Sequence, residues 1–495
     1  MLKAVLIQFC WNTFHAYSIG NLSHGHFRTG SAPAISQQFI ACKYNHCYNQ
    51  DHSNDIHNVE FSNALCFLLH NFLRNGQELK ENISTDVAII GAGIAGILTA
   101  KSLTENGIHC VILEAKQSCS GITKNTTAKI TSQHNLIYNK LIKNIGRENT
   151  KKYLLANEQA IKRYKELCKN IECDFTIAPS YVYSTTSKDI IEKEVFAVNS
   201  LGVKAEFTTK TELPFNIKGA IKFKNQAHFN PIKFLNEIKK DLIIYENTMV
   251  HSIENGTLVT NNGSVKADNI IVTTHFPFLD KHGLYPLKMY QERSYVLALK
   301  NAQNMSGMYI DEKPGGLSFR PYKNYILLGG KSHRTGKGSC EFKTLDEISK
   351  KLYPNCSKEF QWATQDCMTL DSIPYIGKYS RTTNNLFVAT GFNKWGMTSS
   401  MVGSMILTDM IMGNHNDFES VFTPQRFSFN KQFLINIGET TKNLLTPTPK
   451  RCTHLGCALK YNKQESSWDC PCHGSRFDIK GNVIDNPSTK NINIT

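Results

Sequence analysis

Thr85-Asp86-Val87-Ala88-Ile89-Ile90-Gly91-Ala92-Gly93-Ile94-Ala95-Gly96 is the stretch that decides how this chain folds. Val87 to Ile90 is an unbroken apolar run, the pattern of a strand buried on both faces. Ile94 to Asn106 carries helical periodicity, Gly107 ends it, and Ile108 to Leu113 is a second apolar run, so the segment reads as a βαβ unit. The glycines follow G-x-G-x-x-G. Gly91 makes the tight turn, Gly93 lets backbone approach a pyrophosphate, and Gly96 lets helix and strand pack closely. The free N–H groups of the helix N-terminus then face the phosphates. Glu114, 23 residues after Gly91, stands where an acid accepts a ribose hydroxyl. An acid there opposes a 2′-phosphate and so disfavours NADP, whereas NAD and FAD share the fingerprint.

Working outward, Arg147 to Asn170 reads as a long helix, and Phe175 to Tyr183, Met249 to Thr260 and Tyr290 to Leu299 read as strands of a second sheet. Ala267 to Thr273 and Leu386 to Ala389 are short apolar runs that return to the first sheet. The expected fold is α/β, a Rossmann-like nucleotide domain over 84–425 with an α+β substrate subdomain inserted at about 170–370. Phe427 to Leu444 reads as a helix, and Thr446-Pro447-Thr448-Pro449 as a stiff linker, so 426–450 joins this body to a small all-β module over 451–495.

Composition narrows the function classes. The 495 residues exceed one core at roughly 150 residues per domain. The charge is +15, from 56 Lys and Arg against 41 Asp and Glu, but the lysines are scattered singly among Asn and Ile. That is the pattern of solvated faces, and no nucleic-acid partner is expected. No run reaches 18 apolar residues; the nearest, Ala64 to Leu73, contains His70 and Asn71, so no transmembrane segment is expected. Residues 1–83 read as a poorly defined extension. Its first fifty residues lack Asp and Glu and Ala4 to Trp11 is apolar, yet no clean cleavage site follows, and Cys42, His46 and Cys47 lack metal-ligand spacing. Of 15 cysteines, four cluster between Cys452 and Cys472, and others such as Cys110, Cys168 and Cys340 sit singly in apolar or mixed segments. Buried free thiols point to a reducing, cytoplasmic location.

Cys452-Thr453-His454-Leu455-Gly456-Cys457 and Cys470-Pro471-Cys472-His473-Gly474-Ser475 form the strongest signal. C-x-H and C-x-x-H supply two thiolates for one iron and two imidazoles for the other, the ligand set of a Rieske [2Fe–2S] centre. A zinc site would pair like ligands. Cys452, His454, Cys470 and His473 are therefore the expected metal ligands. Cys457 and Cys472 resemble the pair that forms a loop-linking disulfide in high-potential Rieske proteins. In that class a Tyr hydroxyl bonds a ligand sulfur after the second box; here Ser475-Arg476-Phe477 keeps the Ser donor and loses the phenol, which lowers the expected potential. The strands that normally precede the first box are missing, so the base of the domain is expected to be abridged.

The glycine loop, with Asp371-Ser372-Ile373-Pro374-Tyr375-Ile376-Gly377 and Ala389-Thr390-Gly391-Phe392-Asn393-Lys394-Trp395-Gly396-Met397, resembles the FAD-dependent oxidoreductases of the D-amino-acid oxidase and glycine oxidase superfamily. The order of the two parts resembles a bacterial family of Rieske-containing FAD-dependent oxidoreductases. The resemblance implies FAD as the dinucleotide, with Gly391, Gly396 and Met397 near the flavin, and Thr127, Lys129 and Gln133 along the ring or ribityl chain. It also implies oxidation of a small amine or amino acid by hydride transfer to flavin, with electrons passing to the cluster and on to an unknown acceptor. Arg320 is the expected carboxylate clamp and His333 a second substrate contact. His134 reads as structural. Three rivals stay open: an NADH-fed reductase module, which lacks a second G-x-G-x-x-G; an oxygenase, which lacks a two-His, one-carboxylate iron site; and a plain flavin oxidase whose Rieske part no longer works.

Overall fold

The computed structural model describes residues 76–279, 282–338 and 341–493. Most of the extension expected over 1–83, with Cys42, His46 and Cys47, lies outside the described residues, as does Cys340. The described chain joins the fold before residue 84: Leu79 is fully buried and the first strand begins at Asn82.

Strand Asn82–Ile90 lies at the centre of a sheet ordered 375–378, 386–390, 264–272, 82–90, 110–113, 243–245. Its neighbours 110–113 and 264–272 run parallel to it, and Val87, Ala88, Ile89 and Ile90 are buried. Helix Ile94–Glu105 is buried nearly all round because a second helix, Gly396–Met412, covers it; Ser404 Oγ donates to the Leu98 carbonyl at 2.8 Å. The crossover helix spans Tyr138–Leu167, broken at Gly146, whose φ of 77° no helix accommodates.

A nine-stranded sheet faces this nucleotide sheet, ordered 357–369, 289–300, 325–334, 318–322, 308–311, 176–184, 219–228, 129–130, with 205–208 beside 219–228. The substrate sheet is thus assembled from two stretches, one on each side of 243–272, where the chain goes back to the nucleotide sheet. Met249 to Thr260 is corrected accordingly. It is a hairpin, Val250–Glu254 and Thr257–Thr260, attached to strand Ser264–Val272 of the first sheet. Asn255 (φ 50°) and Gly256 (φ 79°) make its two-residue turn, the Asn-Gly signal of a hairpin.

The C-terminal module is a four-stranded antiparallel sheet, 460–462, 467–469, 476–478 and 483–485, over a small core of Leu459, Phe477, Ile492 and the cysteines. It packs against the flavoprotein body through a buried ion pair. Arg293 forks onto Glu465 at 2.8 and 2.9 Å with both side chains about nine-tenths buried, and Arg476 reaches the same carboxylate at 2.9 Å.

Candidate active site and iron-sulfur module

A cavity of about 1530 Å³ runs from the glycine loop to the face of the substrate sheet. It is larger than the roughly 300–1,000 Å³ of a single-ligand pocket, which suits a dinucleotide plus a small substrate. Gly91 adopts φ +107° and Gly93 caps the helix; a side chain at Gly96 would meet the Gly91 carbonyl at 2.0 Å, so this glycine sets the helix-to-turn packing. Glu114 lines the cavity and its carboxylate accepts the backbone N–H groups of Ala92 and Lys116 at 2.8 and 2.9 Å. The acid therefore shapes the phosphate loop as well as facing the ribose position. Burial pushes its pKa above the ordinary carboxylate value, and the two N–H bonds oppose that.

Further along, Thr127 and Lys129 line the cavity, with Lys129 Nζ donating to Thr127 Oγ1 at 3.0 Å. Gly396 and Met397 line it at the start of helix Gly396–Met412. Gly391 stands behind the wall. Its φ of +69° makes the turn, and a side chain there would meet Thr369 Cγ2 at 2.4 Å. Gln133 is corrected: it is buried away from the cavity and its amide donates to the Ile221 carbonyl at 3.0 Å. His134 lines the cavity, bonded to Tyr153 Oη at 2.6 Å and stacked on Trp395, and burial pushes it down to about 3.

The two expected substrate contacts also fall elsewhere. Arg320 is buried, its Nη2 donating to the Phe229 carbonyl at 2.8 Å and its Nε without a partner among the described residues. His333 bonds Tyr295 Oη at 3.1 Å and the Arg334 carbonyl at 3.0 Å. Neither lines the cavity among the described residues. The charged groups that do include Glu292, Asp366 and Lys394. Glu292 and Asp366 are directly opposed across two antiparallel strands and so share a face. Lys394 is held by Glu292 at 2.8 Å, leaving the Asp366 carboxylate at the cavity wall. Burial pushes Asp366 up to about 6, against the pull of Lys394. Burial likewise pushes Lys129 down to about 7, with Arg320 adding to it. Sequence patterning missed Asp366 because an acid inside strand Ser357–Thr369 carries no motif; strand alternation was the available signal.

In the C-terminal module the two boxes meet. Cys457 and Cys472 pair as a disulfide, and their sulfurs lie within 4.8 Å of Cys470 Sγ. Hydrogen bonds from Cys470, the His454 backbone and Ser475, in that order, hold the Cys452 thiol down to about 6 against its burial. The His454 and His473 rings stand edge to face, 5.0 Å apart, with Phe276 of the flavoprotein body against both. His473 Nδ1 is buried without a hydrogen-bond partner among the described residues, and the ring's other nitrogen bonds the Pro286 carbonyl. A carbonyl on the outer nitrogen fixes the tautomer that leaves the inner lone pair for a metal. Two buried thiols and an orphaned imidazole nitrogen with a free lone pair fit an iron-sulfur cluster.

The cluster loop is seated on the cavity wall itself. Gln291 Nε2 donates to the His473 and Asn486 carbonyls at 2.7 and 2.9 Å, and Gln365 Nε2 to the Gly474 carbonyl at 2.8 Å. A side chain at Gly474 (φ +86°) would meet Gln291 Cβ at 2.6 Å, which requires glycine at this contact. Arg334 donates to the Pro471 and Cys472 carbonyls at 2.8 and 2.7 Å while lying over the Tyr290 ring. Tyr290, Glu292, Thr364 and Asp366, the neighbours of Gln291 and Gln365 in sequence, line the cavity.

A dinucleotide cavity joined to a Cys2His2 module defines a two-cofactor redox protein, and sequence comparison agrees. The FAD dependent oxidoreductase family model matches residues 86–410 and the Rieske [2Fe-2S] domain model residues 424–495. The chain belongs to the FAD dependent oxidoreductase family, carries a C-terminal Rieske domain, and is an enzyme that uses FAD and a [2Fe–2S] cluster. It is 34% identical over 475 residues to YhfW of Bacillus subtilis (strain 168), a Rieske 2Fe-2S iron-sulfur protein, covering 83% of this chain and 93% of that one. Among solved structures it resembles glycine oxidase from Geobacillus kaustophilus (17% identity, TM-score 0.60, 70% of this chain and 100% of that one) and L-proline dehydrogenase from P. horikoshii (17%, TM-score 0.58, 71% and 98%). These likenesses establish the fold. No helix of the described residues is long and apolar enough to cross a membrane.

Proposed function

We propose that the protein oxidises a small amine or amino acid in the cavity and passes the electrons through the cavity wall to the Rieske cluster, then to an external acceptor. One observation carries this reading. His473, an expected cluster ligand, is bonded through its carbonyl to Gln291 at 2.7 Å, and the residues on either side of Gln291 line the cavity. When bound, FAD supplies a hydride acceptor and the cluster a one-electron outlet. In this reading Gly91, Gly93 and Glu114 hold the dinucleotide, Thr127, Gly396 and Met397 flank it, and Cys452, His454, Cys470 and His473 bind the irons.

Of the charged groups lining the cavity, Lys129 and Asp366 suit a zwitterion: carboxylate toward Lys129, ammonium toward Asp366. Asp366 takes the ammonium proton, since only the neutral amine can drive hydride from the adjacent carbon. The buried free thiols Cys110, Cys119, Cys168, Cys173 and Cys367 support a reducing, cytoplasmic compartment. The test is anaerobic mixing of full-length protein with amino acids, N-methyl amines, 2-hydroxy acids and NADH, followed by visible and EPR spectra. At least one amino compound should bleach the flavin and raise the reduced-cluster signal. Bleaching by NADH alone would establish the reductase rival; bleaching without a cluster signal would leave a plain oxidase.

A further inference from the structure

Helix Lys431–Leu445, beside the cluster loop, is amphipathic the wrong way round for a helix packed on a protein. Its polar side faces inward: Asn436 and Asn443 are buried, and Asn436 accepts a hydrogen bond from Arg334 at 2.8 Å. Its apolar side faces outward. Leu434 is 68% exposed and Leu445 76%, and Ile435, Ile437 and Leu444 are exposed with them. At 100° per residue, Leu434 and Leu445 lie along one line of the helix, Ile437 and Leu444 flank it on one side, and the exposed Lys431 and Lys442 flank it on the other. At the N-terminal end Phe427, Phe429 and Phe433 cluster with ring centroids 4.6–5.2 Å apart, and Phe429 is 83% exposed. Leu455, the neighbour of His454, is exposed as well.

We infer that this face is a membrane-surface site that lies in the interface of an anionic phospholipid bilayer. The occupant follows from charge. A strip of Leu, Ile and Phe edged by lysines is the arrangement of a helix lying flat in the headgroup region, with acyl chains taking the apolar side and anionic headgroups the ammonium groups. A second copy of the chain would bring the same lysines and the same +15 charge to the contact. Anionic lipid complements both features. The inference stands on the helix face alone and holds whether or not the amine-oxidising reading does.

The test is co-sedimentation of the full-length, cofactor-loaded protein with phosphatidylcholine vesicles with and without phosphatidylserine. Binding should require phosphatidylserine and weaken with added salt. A Leu434→Glu, Leu445→Glu variant should bind at least tenfold more weakly with unchanged flavin and iron content. A Lys431→Gln, Lys442→Gln variant should bind more weakly and lose most of the salt dependence. No binding to the anionic vesicles, or equal binding by the parent and the leucine variant, would overturn the proposal. So would a concentration-dependent dimer in the parent that the leucine variant abolishes, which would assign the face to a second copy.

Discussion

Asp366 is the residue on which the proposed chemistry turns. Its acid form persists to about pH 6, so amine oxidation should rise as pH increases through about 6, where the carboxylate forms. Asp366→Asn should remove that limb and lower kcat/KM by about 10²- to 10⁴-fold, the usual range for a general base. A pH profile of flavin reduction by stopped flow checks both, and an unchanged profile would exclude Asp366. Gly93 offers a separate test. A side-chain carbon there meets only Thr123 Oγ1, at 3.3 Å, so Gly93→Val should fold yet block the pyrophosphate approach. Purified Gly93→Val should be colourless at 450 nm with an unchanged melting profile; full flavin occupancy would remove FAD from this loop. The residues that sequence located are those whose chemistry demands a fixed local spacing, as in the glycine loop and the two Cys-His boxes. Arg320 and His333 have no such constraint. Their types suited substrate binding, but the sheet turns Arg320 onto the Phe229 carbonyl and His333 onto Tyr295.

At the scale of elements, strand Met289–Lys300 and its partner Ser357–Thr369 carry the junction between the two parts. Gln291→Leu with Gln365→Leu keeps volume and apolar packing but removes the bonds to His473 and Gly474. Reduction of flavin by substrate should be unaffected, while the cluster signal in rapid-freeze EPR should appear at least tenfold more slowly. Equal rates would show that electrons take another route. Arg293→Met should cost about 2 kcal/mol, the worth of a buried charge-assisted pair, because Glu465 keeps Arg476. The loss should appear first as faster hydrogen exchange in 460–485, with the nucleotide sheet unchanged. Periodicity located strand Met289–Lys300 but not its partner Ser357–Thr369, and it could not place Met249 to Thr260 in the right sheet, because alternation reports which face of a strand is buried and says nothing of which sheet adopts it.

At the scale of the molecule, the two cofactors share one body. Flavin takes two electrons and the cluster one, so anaerobic dithionite titration should consume about three electron equivalents per chain. A value near two would mean the module holds no working cluster. The module's short sequence suggested a weakened domain. In the structure the module is held by Gln291, Arg293, Arg334 and Gln365 of the flavoprotein body, none of which is adjacent to the Cys-His boxes in sequence. This dependence also bears on how the lineage can change. Because Gln291 holds the cluster loop while its neighbours Tyr290 and Glu292 line the cavity, inserting or deleting one residue there displaces both sets of side chains and disables both centres together. Point substitutions can therefore vary the substrate pocket and the electron outlet independently, but length variation in this strand is closed to both, and descendants with new substrates should keep its residue count while their loops drift.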